Sequence, residues 1–209
     1  MGMLARFLEG APPPTRFWLT RAGPVENPGG VLYSHPGLPL SNAGTIAIRD
    51  LARRLDGKAV AHVYAADSQA ESEAARILAE LLDARHTLAP ELRERSWGSW
   101  EGMSFTEVRD RYPAAVESWK SDEAGFSPPG GESLLDVRSR SLPFLEQIRK
   151  RHTAATVVIV GNCAVNRVAL AMALPFLTPA EGLRLEQDYA SWTELRFYGA
   201  DGVLVRLNT

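Results

Sequence analysis

The stretch FWLTRAGPVENPGGVLYSHPGLPLSNAG, residues 17–44, opens as an apolar strand and breaks at Arg21, Ala22 and Gly23 into a loop rich in Gly and Pro. The next segment has a different period. Over residues 44–55, Ile46, Leu51 and Leu55 recur at roughly helical spacing, so strand 16–20, loop and helix form a first βα unit. The run AVAHVYAAD, residues 59–67, returns as a buried strand and feeds a helix over 68–82. Later come a helix over 132–151, capped by Ser133 or the Gly before it, a β-branched strand over 156–160 and a helix over 164–174. WTELRFYGADGVLVRLN, residues 192–208, reads as two strands joined by a turn at Gly199 to Gly202. Alternating strands and helices predict the α/β class: a single-domain three-layer α/β/α sandwich around a mostly parallel sheet. Residues 1–15, with Pro12, Pro13 and Pro14, are expected to be a loose tail before a domain over 16–209. Residues 90–131, rich in Trp, Gly, Pro and charge, are expected to be an insertion over the sheet edge that serves as a lid.

Composition narrows the function classes. The chain has 209 residues, 45% of them hydrophobic and 23% charged. One globular domain of that size buries roughly 70% of its unfolded surface. The formal net charge of −2, with both signs interspersed, offers no basic stripe for nucleic acid and no polybasic membrane patch. No apolar run approaches the roughly 20 residues that span a bilayer. Cys163 is the single cysteine and cannot form an internal disulfide, so a cytoplasmic location is expected. No His or Cys cluster has metal-ligand spacing, and neither a metal nor a cofactor is expected. The expected partners are a small anionic metabolite or a protein, and a homodimer is a candidate assembly.

Ligands of parallel sheets gather beyond the carboxyl ends of the strands, where loops meet helix N-termini. Three turns satisfy that geometry: the Arg21 loop, residues 65–70 and residues 161–164. Together they would form a pocket holding Arg21, the Asn162 amide and the Cys163 thiol beside the free backbone donors of a helix start.

Five segments in order, LTRAGPVENPGGVLY (19–33), RERSWGSWEG (93–102), PPGGES (128–133), VIVGNCAVNRVAL (158–170) and QDYASWTEL (187–195), resemble the histidine phosphatase superfamily, with its phosphoglycerate-mutase-like fold. The resemblance implies a chemistry in which a neutral imidazole attacks phosphorus, arginines and a second histidine hold the equatorial oxygens, and a carboxylic acid protonates the leaving alkoxide. Laid onto this chain, it puts the nucleophile on Ala22, the second histidine on Asn162, and a phosphate-binding arginine on Ala70, or on Gln69 if the register slips by one. Arg21 and Glu94 match the family's first arginine and its acid, and Asn27 lies near its loop asparagine. Pro24 and Cys163 depart from the pattern as well. The resemblance therefore implies a phosphate cradle without its reactive centre, and conventional phosphatase activity is expected to be absent.

The four histidines offer little compensation. His62 lies in an apolar strand, and His86 and His152 lie in polar linkers facing solvent, which leaves His35 on the pocket rim as a weak candidate. Arg21 is expected either to bind an anion or to pair with Glu94 or Glu26. Asn162 binds ligand or caps its turn. Cys163 reads first as a small buried hydrophobe, although a helix N-terminus near Arg21 would lower its thiol pKa. Two functions remain: a catalytically degenerate member that binds a small phosphorylated or carboxylated ligand or a protein partner, and a repurposed enzyme using Glu94 with Cys163 or Asn162 for acid/base chemistry on an anionic metabolite. In the second case Glu94 would be desolvated beneath the Trp97 and Trp100 segment.

Overall fold

A computed structural model describes residue 10 and residues 12–209, so most of the expected tail lies outside the described residues. The strands are β1 (Thr15–Arg21), β2 (His62–Ala65), β3 (Arg85–Leu88), β4 (Thr156–Gly161), β5 (Trp192–Tyr198) and β6 (Asp201–Arg206). The helices are α1 (Asn42–Arg54), α2 (Gln69–Leu81), α3 (Phe105–Arg111), α4 (Pro113–Ser121), α5 (Leu134–Arg151), α6 (Cys163–Ala173) and the single turn α7 (Pro179–Gly182). One sheet runs in the order β3-β2-β4-β1-β5-β6. Its first four strands are parallel, and the β5–β6 hairpin adds antiparallel to β1.

Side chains of a strand alternate between faces, and here the two faces feed two cores. Phe17 and Leu19 of β1, Tyr64 of β2, and Val157 and Ile159 of β4 pack beneath Leu145 and Ile148 of α5 and Val165 and Leu170 of α6. Their neighbours Trp18, Val63, Ala65, Val158 and Val160 meet Ile48 and Leu51 of α1 and Ile77 and Leu78 of α2. Each fully buried aliphatic side chain contributes about 1.5–3 kcal/mol, which is why β1 and β4 lie at the centre of the sheet. Ser133 caps α5 in a reciprocal box with Asp136, as the sequence anticipates.

Strand β3 falls where only a linker is expected. All four of its residues are exposed, so no apolar run marks it, and its order comes from parallel pairing of His62–Ala65 with Arg85–Leu88. His86 is therefore an edge-strand residue. His152, expected in solvent, ends α5 half-buried, with its Nε2 2.8 Å from the Tyr64 hydroxyl.

Residues 90–131 hold two short 3₁₀ turns, Pro90–Leu92 and Gly98–Trp100, followed by α3 and α4. They carry a small core of their own, in which buried Trp100 and Val108 and the partly buried Trp119 and Phe126 surround Leu32. Backbone bonds from Leu32 N–H to Met103 O (2.8 Å) and from Gly102 N–H to Leu32 O (2.9 Å) tie this segment to the loop after β1.

That loop stands at the carboxyl edge of the sheet. Arg21 is in register with Gly161, which sets the end of β1 beside the start of α6. Gly23 lets the loop press against α1, since a Cβ there would meet Gly44 O at 2.5 Å.

Candidate functional site

The ends of β1, β2 and β4 open into a cavity of about 340 Å³. Arg21, Ala22 and Gly23 come from the first turn, Ala70 and Glu71 from the start of α2, and Gly161, Asn162 and Cys163 from the start of α6. Val31, Leu32, Tyr33, Trp97, Phe105 and Tyr189 supply apolar and aromatic wall, and Glu94 closes one side. No histidine lines it. All four histidines are among the described residues, and each lies elsewhere.

Ala22 and Ala70 are buried in the core on the α1 and α2 face, so two methyl groups stand in the cavity wall. Asn162 is the N-cap of α6: its Oδ1 accepts from Val165 N–H (3.2 Å) and its Nδ2 donates to Leu92 O (3.0 Å). The amide therefore caps its turn, with one hydrogen bond at each end. Asn27 is likewise occupied, because its side chain donates to Val31 O (2.9 Å) and accepts from Val31 N–H (3.0 Å). Such a closed turn shapes the loop and leaves the amide little to give a ligand.

Arg21 does not pair with Glu94 or Glu26. Its guanidinium lies 3.9 Å from the centre of the Tyr189 ring, and one Nη donates to Gln187 O (2.7 Å). An arginine has five donors, so most of the fork stays available to the cavity. Helix α6 adds the unpaired N–H groups of its first turn and the positive end of its dipole.

For Cys163 the two sequence readings differ in the direction of its thiol pKa. Burial pushes its thiol pKa up, the Glu94 charge pushes in the same direction, and these outweigh Arg21 and Arg167. The thiol is the small, largely apolar wall group of the simpler reading.

Glu94 accepts a hydrogen bond from Arg95 N–H (2.8 Å). Of the two tryptophans expected over it, Trp97 lines the cavity whereas Trp100 is buried in the core of the 90–131 segment. Beyond Glu94 lies a second cavity of about 480 Å³, where His35 resides instead of on the first cavity. His35 Nδ1 is 3.5 Å from Ser68 Oγ and 4.0 Å from Asp67 Oδ1. Asp67 is held below the usual carboxylate range by two hydrogen bonds from Arg93 (2.6 and 2.5 Å).

One carboxylic acid whose proton affinity burial raises is one that sequence reasoning passed over. Glu71, in the first turn of α2, is pushed up to about 7 by desolvation, with Glu94 adding repulsion against a smaller pull from Arg21. By surface area the residue is only partly buried, yet protein surrounds its carboxyl closely enough for desolvation to dominate. Tyr33 was also missed: burial and its contact with Tyr189 raise its phenol well above the ordinary value. The only sequence signals were the adjacency of Glu71 to Ala70 and the position of Tyr33 and Tyr189 inside two of the quoted segments.

A family model described as histidine phosphatase superfamily (branch 1) matches residues 17–209. The chain belongs to the histidine phosphatase superfamily. Among its superfamily relatives, a bifunctional protein of Mycobacterium tuberculosis is 31% identical over 198 residues, 93% of this chain but 53% of that protein, so the chain spans about half the length of that relative. Phosphoserine phosphatase 1 of Hydrogenobacter thermophilus is 28% identical over 169 residues, covering 81% of this chain and 80% of the relative. In structure, YhfR of Bacillus stearothermophilus matches with a TM-score of 0.83 at 26% identity over 91% of this chain and 95% of its own. A mycobacterial glucosyl-3-phosphoglycerate phosphatase complexed with VO3 also scores 0.83, at 24% identity, over 93% and 99% of the two chains. The superfamily fold thus extends across nearly the whole chain. Among the described residues no helix is long and apolar enough to cross a membrane.

Proposed function

We propose that this chain is a catalytically degenerate superfamily member, a cytoplasmic protein that keeps the cradle beside Arg21 and α6 as a binding site for a small phosphorylated or carboxylated ligand and performs no phosphohistidine chemistry. One observation carries the reading: the cavity at the carboxyl ends of β1, β2 and β4 is lined by no histidine, with Ala22, Ala70 and the helix-capping amide of Asn162 in its wall. Phosphohistidine turnover needs a nucleophile within reach of phosphorus, and neither a methyl group nor a capping amide can supply one. The repurposed-enzyme reading loses support from Cys163, whose raised pKa keeps it a thiol at neutral pH.

Two measurements on the purified chain test this. Hydrolysis of p-nitrophenyl phosphate should match that of Arg21→Met at the background rate, and no acid-labile phosphoprotein should form. Calorimetry with ethyl phosphate should detect binding that weakens at least about tenfold in Arg21→Met, the scale of one lost charge-assisted pair. Turnover that the Arg21 substitution abolishes would overturn the proposal.

A further inference from the structure

The charge count of the cavity is unusual for a site that holds only an anion. It has one cation, Arg21, and two carboxylates, Glu71 and Glu94. Acids just outside the cavity are matched with arginines: Asp67 with Arg93 at 2.5 Å and Glu132 with Arg140 at 2.8 Å. Among the described residues, Glu71 and Glu94 have no such partner within ion-pair distance. Glu94 accepts the Arg95 backbone N–H, and Glu71 accepts its own. An unpaired carboxylate enclosed by protein is costly, and two in one cavity repel each other. A bare phosphate at Arg21 would add to that repulsion.

The remaining wall suggests what offsets it. Trp97 and Phe105 stand edge to face, ring centres 6.2 Å apart, and Phe105 is 56% exposed although it is a large apolar side chain. Aromatic faces beside carboxylates attract ammonium groups through the ring quadrupole and direct ion pairing together.

We infer that the ligand of this cavity is a small zwitterion: its anionic end binds Arg21 and the start of α6, and its ammonium end binds between Glu71 and Glu94 against the Trp97 and Phe105 rings. The inference rests on the binding role proposed for the cradle and adds the second charge. No bond is made or broken. The ammonium supplies the direct ion-pair partner that neither carboxylate has among the described residues, where Arg21 acts on Glu71 and Arg95 on Glu94 only at longer range.

Matched probes test it at pH 8, by calorimetry on the full chain. Phosphoethanolamine is compared with ethyl phosphate, and taurine with ethanesulfonate, so that each pair differs only by the ammonium group. In at least one pair the ammonium compound should bind about tenfold tighter or more, the scale of a buried charge-assisted contact. Glu71→Gln or Glu94→Gln should remove that preference while the ammonium-free anion binds equally or more tightly. No ammonium preference in either pair, with Arg21-dependent anion binding intact, would overturn this inference alone. A preference that survives in both glutamine variants would also overturn it. If none of the four compounds binds in an Arg21-dependent way, the binding role itself fails and this inference with it.

Discussion

Glu71→Gln should make the protein more stable, by an amount that grows as pH rises from about 4.5 to about 7. The carboxyl has an ordinary value of 4.5 in the unfolded chain and about 7 in the folded one, so the native state holds its proton more tightly. The sign follows by linkage. Stability from this group is fully present below pH 4.5, falls as pH rises from there, and is lost once pH passes about 7. The interval of about 2.5 pH units, at about 1.4 kcal/mol each, gives roughly 3 kcal/mol as an upper bound, because water in the cavity screens part of the charge. For a chain of this size roughly 2–4 °C accompany each kcal/mol, so a shift on the order of 5–10 °C is expected at pH 8. The assay is thermal or urea unfolding of wild type and Glu71→Gln from pH 5 to pH 8. His62 and His152, whose pKa values are lowered chiefly by burial, destabilise the fold towards low pH in both proteins and cancel in the difference. The two curves should lie closest at pH 5, separate most steeply between pH 5 and pH 7, and keep a nearly constant gap from there to pH 8. Parallel curves would refute the reasoning, since they would mean that Glu71 titrates alike in both states.

Three further outcomes are expected. Sulfate, which does not titrate in this range, should bind more weakly at pH 8 than at pH 6 in wild type and equally at both in Glu71→Gln, because deprotonation of Glu71 places a second negative charge in the cavity; calorimetry reads this. Cys163, half-buried and shifted away from the thiolate, should react with iodoacetamide at pH 7.5 at least roughly tenfold more slowly in the native protein than in urea, as mass spectrometry over time would show. Gly23→Ala should cost about 1–3 kcal/mol in urea unfolding, because its Cβ would press on the Gly44 backbone at 2.5 Å and one of the two segments must move.

What could be read from the sequence came from where water is excluded on a regular period. β1, β2 and β4 are central strands whose apolar side chains alternate between the two cores, and their runs stand out for that reason. β3 left no trace because an edge strand with four exposed residues is specified by its neighbour's hydrogen bonds, not by its own side chains. At the site, Arg21, Ala22, Ala70, Glu94, Asn162 and Cys163 do meet in one cavity, because strand ends and helix starts fix their places. Their electrostatics were less accessible. For Cys163 a helix terminus and a nearby arginine argued for a lowered pKa, but the amount of protein packed around the sulfur reversed the sign. Glu71 escaped notice for the same reason, since nothing local distinguishes a glutamate in a helix's first turn that faces solvent from one enclosed by segments distant in the chain.

The placement of the two alanines explains how the fold accommodates such a site. Ala22 and Ala70 are buried among the aliphatic side chains of α1 and α2, so each methyl group extends a core that the strands and helices already require. A polar side chain buried there needs partners, and without them it costs roughly 1–3 kcal/mol. Asn162 satisfies the first turn of α6 and the carbonyl of Leu92, which anchors the start of the 90–131 segment to the end of β4. Each of these side chains strengthens packing or hydrogen bonding where catalysis would demand an exposed, strained or unpaired group. Glu71 and Glu94 run against that trend: they remain in the cavity without an ion-pair partner among the described residues, at a cost that folding alone does not explain. Charge without an ion-pair partner is where function is to be sought, and here it is opposite in sign to Arg21 within the same cavity.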